Sequence, residues 1–298
     1  MKVKLIKIVI IAALIGVFGW ANGLWGQISA SRGSQLQLAA ESAVLLDAST
    51  GEWLYVHNAQ EPLPPASMSK MMTELLVLDA IEQGKIHWED KVTISAYAAG
   101  VNGASMQLLS GQSVGVRQLF EAMAIHSAND ASVALAEFTA GSEAEFVEQM
   151  NARANKIGLS DETHFANATG LSSRDLDSYA TAAADGETIM TAKDVALLAR
   201  HLIKSHPEVL KVTKKSSAGG GSKAANLRTT NEMLPGQRFG TKGNDGLKTG
   251  YTQKAGYCFT GTTVRNGKRY ITVVMGTDTP EARFEETKKL LAYGEAKS

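Results

Sequence analysis

Two short runs near the front of the chain, 44–47 and 53–57, are rich in β-formers, and the Ser49-Thr50-Gly51 turn between them predicts an antiparallel hairpin. Pro64-Pro65 then bars helix before Ala66. From Ser67 to Gln83 there is no Gly or Pro, and Met68, Met71, Met72, Leu75, Leu76, Val77, Leu78 and Ile81 run nearly all the way round a helical circle. An element apolar on every side is a buried one, so this segment predicts a central helix that stops at Gly84. Helical periodicity returns in pieces at 116–126, 131–139, 143–157 and 192–205; Ser142 with Glu145 forms a capping box before the third piece, and Gly158 ends it. Gly219-Gly220-Gly221 marks 216–222 as a surface loop. Strand character resumes at 246–263 and 269–276, joined across Asn266-Gly267, a strong hairpin signal. A last helix is expected over 280–293, capped by Thr279, with Pro280 in its first turn and Gly294 as its stop.

Strands at both ends with helices between them predict an α+β fold, in which one antiparallel sheet is assembled from distant segments and flanked by helices. The sheet lobe would comprise about 40–66 and 240–298, and an all-helical lobe of about 67–215 would be inserted into it, within a domain spanning 40–298.

Ahead of that domain, Lys2, Lys4 and Lys7 precede an uncharged apolar run over 8–21 and a small or polar stretch over 22–34. This is the shape of an export signal. The run is shorter than the ~18 to 20 apolar residues of a comfortable span, although Leu24 and Trp25 extend it. Residues 1–30 are therefore read as a signal peptide or an N-terminal membrane anchor, 31–39 as a linker, and the rest as extracytoplasmic, secreted or held at the outer face of the cytoplasmic membrane.

With 298 residues at 44% hydrophobic composition, the chain can bury a large core and is not a disordered protein. Thirty Lys+Arg against thirty Asp+Glu give a formal net charge of zero, which argues against a protein built to grip nucleic acid. The single cysteine, Cys258, allows no internal disulfide and reads as a packed thiol in an apolar strand. The six histidines show no metal-binding spacing, so neither a metal nor another cofactor is expected.

Ser67 and Lys70 stand three apart at the start of the buried helix, on one face and within reach of each other. A serine hydroxyl needs a base, and no His sits in a Gly-x-Ser-x-Gly setting, which leaves Lys70. A lysine that is neutral near pH 7 lies about three units below its ordinary ~10.4, equivalent to about 4 kcal/mol. Burial supplies part of that. A second cation at ~6 Å, for which Lys248 is suited, contributes about 2.8 kcal/mol at an effective dielectric of ~20. Ser-x-x-Lys alone is weak evidence, but Ser127-Ala128-Asn129 follows at a helix break and Lys248-Thr249-Gly250 at a strand start.

That ordered trio, with 65–73, 127–131, 167–171 (Asn-Ala-Thr-Gly-Leu) and 245–251 (Asp-Gly-Leu-Lys-Thr-Gly-Tyr), resembles the low-molecular-mass penicillin-binding D-Ala-D-Ala carboxypeptidases, serine peptidases of the S11 type, over about 40–294. The resemblance implies the serine DD-peptidase/β-lactamase-like fold and hydrolysis of the terminal D-Ala-D-Ala bond of peptidoglycan stem pentapeptides. It makes Ser67 the acylated nucleophile, Lys70 the proton acceptor and Ser127 a proton relay to the leaving amine. Asn129 would hold the substrate amide, Lys248 and Thr249 the terminal carboxylate, and Gly250 would leave room for backbone approach. The oxyanion would sit on the backbone N–H groups of Ser67 and Tyr251. β-Lactam antibiotics would be covalent inhibitors, and no nucleic-acid partner is expected. Arg283 is either a further carboxylate contact or an exposed helix charge, Asp130 a helix cap, and His126 a packing or surface residue.

Three other readings share this machinery: a serine β-lactamase, a DD-endopeptidase acting on cross-links, and an inactive muropeptide-binding homologue. The Glu-x-x-Leu-Asn loop with which class A β-lactamases position water is absent, which favours slow deacylation. Many members of the family continue into a β-rich domain and a C-terminal anchor. Here the chain stops at Ser298, so any membrane contact is expected at the N-terminal segment.

Overall fold

The computed structural model describes residues 36–176, 186–219 and 227–297, so the expected export segment and Gly220-Gly221 fall outside the described residues. In chain order the elements of the unit Leu38–Ser298 are β1 (Ser42–Asp47), β2 (Trp53–His57), a 3-10 turn (Ala66–Ser69), α1 (Lys70–Glu82), β3 (Lys91–Thr93), α2 (Ala96–Gly100) and β4 (Ser113–Gly115). They continue with α3 (Val116–His126), α4 (Asn129–Ala140), α5 (Glu143–Lys156), α6 (Ser173–Leu176), α7 (Ala192–Ser205) and α8 (Val209–Thr213). The last are β5 (Ser217–Ala218), β6 (Leu227–Arg228), β7 (Asn244–Thr252), β8 (Gly256–Arg265), β9 (Lys268–Thr277) and α9 (Ala282–Lys297).

The main sheet has five strands in the order β2-β1-β9-β8-β7, and every neighbouring pair is antiparallel. The two ends of the chain meet where β1 lies against β9, with Ser42 opposite Met275 and Asp47 opposite Tyr270. The sheet is thus assembled from distant segments, as the pattern of strands and helices predicts. Asn266 and Gly267, at φ 49° and 78°, form the two-residue turn between β8 and β9; both positive angles are what an Asn-Gly hairpin turn requires.

Three local expectations are refined. The stretch 246–263 is two strands, β7 and β8, turning at 253–255. The helical segment also carries two small ribbons, β3 with β4 and β5 with β6, the latter using Ser217–Ala218 from the expected loop. Gly294 does not stop the last helix, which runs on to Lys297. It is a packing glycine instead: a Cβ there would stand 2.7 Å from Leu45 Cδ2, so the missing side chain lets α9 lie close over β1. Thr279 does cap, its Oγ1 accepting from Ala282 N–H at 3.1 Å.

Helix α1 is buried at every position from Lys70 to Leu78, as its all-round apolar pattern demands. Its far end is tied down by Asp79, which accepts from Arg153 of α5 at 2.9 Å and meets the His206 ring at 2.8 Å. These ties fix the helix that begins at Lys70, directly after the turn that carries Ser67.

Candidate active site

Ser67 lies in the 3-10 turn before α1 and not in the helix proper, with Ala66 at φ 48°. The turn aims Ser67 along the start of α1, where Lys70 Nζ is 2.8 Å from Ser67 Oγ. Nζ also donates to Asn129 Oδ1 and to the Thr169 carbonyl, both at 2.7 Å. A neutral amine has two N–H bonds and one lone pair. With the amine neutral, the two carbonyl oxygens would take the N–H bonds and the lone pair would face the Ser67 hydroxyl. Lys70 is fully buried, and its pKa is held well below the usual lysine range, first by burial and then by the positive charge of Lys248.

Asn129 opens α4, two residues after Ser127, which ends α3 in the left-handed region at φ 66°. A non-glycine residue there carries backbone strain of about 1 kcal/mol or more, of the kind concentrated at functional sites. The kink presents Ser127 and Asn129 to the same space. Asn129 is pinned by Nδ2 donating to Asn102 O at 2.6 Å, which orients Oδ1 toward Lys70.

The third motif arrives on β7, the edge strand of the sheet. Lys248 Nζ donates to Ser127 Oγ at 2.7 Å and to Thr249 O at 3.1 Å. Burial lowers the Lys248 pKa to about 7, with Arg283 pressing the same way and Glu74 opposing. Thr249 Oγ1 donates to Thr230 Oγ1 at 2.6 Å. Gly250 is where β7 touches the Ser67 turn: a Cβ there would stand 2.5 Å from the Pro65 carbonyl oxygen. Tyr251 follows, its ring outward and stacked on Tyr257 with centroids 4.3 Å apart. The eight residues singled out by motif therefore share one site, linked through Lys70 to Asn129 and through Ser127 to Lys248.

Several neighbours have a role the motifs do not assign. The Thr169 carbonyl is delivered by a turn in which Asn167 Oδ1 accepts from Thr169 N–H at 3.0 Å and Gly170 N–H at 2.7 Å. Gly170, at φ 74°, sits so close that a Cβ would run into the Ala66 carbonyl oxygen and the Ser69 hydroxyl. Gly170→Ala should cost about 2–4 kcal/mol of stability, from overpacking added to a left-handed alanine, and a denaturant midpoint reads it. Thr230 and Asn102 come from loops with no sequence signal. Glu74, one turn after Lys70, is 1% exposed; burial raises its pKa to about 7 against the pull of Lys248 and Lys70.

Asp130 is not the cap expected of it, since it lies inside the first turn of α4, whose N-cap position is Ala128; its carboxylate accepts instead from Ser105 Oγ at 2.7 Å and from the N–H groups of Met106 and Leu108, holding the loop that frames Asn129. Arg283 is not an exposed helix charge either. It is part-buried, with Nη1 3.4 Å from Gly250 O and the guanidinium over Tyr257 at 5.5 Å. The His126 ring is half-buried, with Nδ1 3.0 Å from Arg228 O. Cys258 is a buried thiol with its pKa raised to about 11 by burial, which suits packing.

A protein-family model described as D-alanyl-D-alanine carboxypeptidase, peptidase S11, matches residues 29–279. The D-alanyl-D-alanine carboxypeptidase DacF of Bacillus subtilis is 38% identical over 285 residues, 94% of this chain and 69% of the relative. Among solved structures, penicillin-binding protein D2 of Listeria monocytogenes in its ampicillin-bound form aligns with TM-score 0.73 at 37% identity, covering 88% of this chain and 99% of that one. Penicillin-binding protein PBP3 of Streptococcus pneumoniae aligns with TM-score 0.82 at 39% identity, covering 88% and 74%.

Proposed function

The chain belongs to the D-alanyl-D-alanine carboxypeptidase family of serine peptidases, and from that premise we propose how its own residues cut the terminal D-Ala-D-Ala bond of peptidoglycan stem pentapeptides. The observation that carries the assignment is the Lys70 amine, buried and bonded to two carbonyls, with its third direction on Ser67 Oγ. Lys70 takes the Ser67 proton as Oγ attacks the penultimate D-alanyl carbonyl carbon. The oxyanion is met by the backbone N–H groups of Ser67 and Tyr251; a preorganised donor of this kind is worth about 10²- to 10³-fold in rate. As the C–N bond breaks, Ser127 relays a proton to the leaving amine. Its oxygen already accepts from Lys248, so its own O–H is free to donate. Water then hydrolyses the acyl ester and releases the shortened peptide.

The leaving D-alanine ends in a carboxylate, which the Lys248 ammonium and the Thr249 hydroxyl bind, with Arg283 adding positive charge behind Gly250. Asn129 holds the substrate amide in addition to aiming Lys70. The clearance left by Gly250 brings the edge of β7 within reach of the scissile bond.

β-Lactams present a carboxylate and a strained amide in the same geometry, so they acylate Ser67 and stay bound. Peptidoglycan lies outside the cytoplasmic membrane, and residues 1–30 serve to carry the catalytic unit there; sequencing the mature N-terminus reads whether they are removed. Among the described residues, no helix is long and apolar enough to cross a membrane.

The test uses the unmodified protein. After exposure to benzylpenicillin, peptide mass spectrometry should find a long-lived adduct on Ser67 alone, and without the drug the protein should release D-alanine from a pentapeptide ending in D-Ala-D-Ala. An adduct on another residue, or no D-alanine release, overturns the assignment.

A further inference from the structure

We propose that Glu74 is the buried counter-charge of the Lys70–Lys248 pair, a positioning residue that takes up a proton when a substrate carboxylate docks and thereby sets the pH range in which Ser67 is acylated. This rests on the Ser67 acyl-enzyme reading above and deepens it.

The first observation is placement. Glu74 follows Lys70 by four residues on α1, hence one turn along the same face. Both are buried, as is Lys248, which crosses from β7. Glu74 feels both lysines electrostatically.

The second is the state of its carboxyl. Both oxygens are buried and, among the described residues, neither has a hydrogen-bond partner. Neighbouring buried acids are fully engaged. Asp130 on α4 holds the 105–108 loop. Glu143 at the head of α5 accepts from Tyr97 and from Ala168 N–H. Asp194 on α7 accepts from Ser160, Thr163 and Thr191. A carboxylate left with no donor is costly in such a place, and the group escapes that cost by protonating. The remaining charges that reach the lysines are Asp130, which raises Lys70, and Arg283 on α9, which lowers Lys248.

The third is the charge count. With Lys70 neutral, as a base must be, an ionised Glu74 balances a protonated Lys248 in the empty site. A substrate brings a second carboxylate to Lys248, and two anions then share one cation in a closed space. Taking a proton on Glu74 restores neutrality and leaves Lys248 to the substrate; when D-alanine departs with its carboxylate, Glu74 gives the proton back. Burial that has already brought Glu74 close to neutral pH makes this exchange inexpensive. A β-lactam keeps its carboxylate in the acyl-enzyme, so the proton is held as long as the adduct lasts. Ring opening itself moves the Ser67 proton to the ring nitrogen and leaves the proton count unchanged.

The experiment compares the full chain with its Glu74→Gln variant in two readouts. In weakly buffered solution near pH 7 containing an indicator dye, mixing with benzylpenicillin should draw more of a proton per labelled Ser67 into the wild-type protein, where Glu74 and Lys248 both respond, than into Glu74→Gln, where Lys248 alone can. Acylation by a fluorescent penicillin, followed from about pH 5 to about pH 10, should give a bell whose two limbs move toward acid by about one pH unit in the variant, because losing a nearby negative charge lowers both lysine pKa values. Equal proton uptake by the two proteins, or superimposable bells that differ only in height, overturns the proposal and leaves Glu74 a packing residue. Should Glu74→Gln fail to fold, the wild-type uptake decides alone: labelling of Ser67 without uptake overturns the role of Glu74 while the acyl-enzyme stands. A wild-type protein unlabelled at Ser67 overturns both.

Discussion

Lys70→Met lowers the rate of Ser67 acylation by about 10⁴-fold, the upper range of what a positioned base contributes, while the protein still folds. Methionine keeps the length and the burial and removes only the amine. Two acceptors lose a donor, Asn129 Oδ1 and the Thr169 carbonyl, which costs about 1–3 kcal/mol. The lysine's own desolvation penalty is removed at the same time and offsets part of that loss. Stopped-flow labelling with a fluorescent penicillin, alongside a thermal melt, separates the two effects. A variant that labels within tenfold of wild type would show that some other group takes the Ser67 proton.

Lys248→Met lowers kcat/KM for a peptide ending in a free D-alanyl carboxylate by about 10²- to 10³-fold, within the 2–5 kcal/mol range for removing one partner of a buried charged pair. Lys248 also donates to Ser127 at 2.7 Å, so part of the loss belongs to the relay and not to the carboxylate. A peptide with an amidated C-terminus tells the two apart. The variant should lose less with the amide than with the acid, and the difference between the losses is the share owed to carboxylate binding. Equal losses on both peptides would move carboxylate recognition to Arg283, which already reaches Gly250 on the same strand.

The two cases differ in how much of them can be read before the chain is folded. That Ser67 and Lys70 meet follows from a spacing of three at a helix start, although the turn around Ser67 proves to be 3-10 and not α. The buried character of α1 follows from its all-round apolar pattern, and the β8–β9 turn from Asn266-Gly267. Gly294 shows the limit of local signals: a glycine at the end of a helical pattern reads as a stop, yet the space it leaves is used by Leu45, far away in sequence.

By itself, then, the amino-acid sequence determined the pairing of Ser67 with Lys70, the hairpins and the central helix, because each depends on forces acting across a few neighbouring residues. The tertiary structure alone decided that the Lys70 amine is held well below the usual lysine range and aimed at Ser67. It did so through the Thr169 carbonyl, brought from 99 residues away, through Asn129, 59 residues away, and through the charge of Lys248 on a distant strand. It likewise buried Glu74 under the electrostatic pull of two lysines, its carboxyl without a hydrogen-bond partner among the described residues. Desolvation and charge coupling depend on which elements pack together, and that packing is a property of the whole fold.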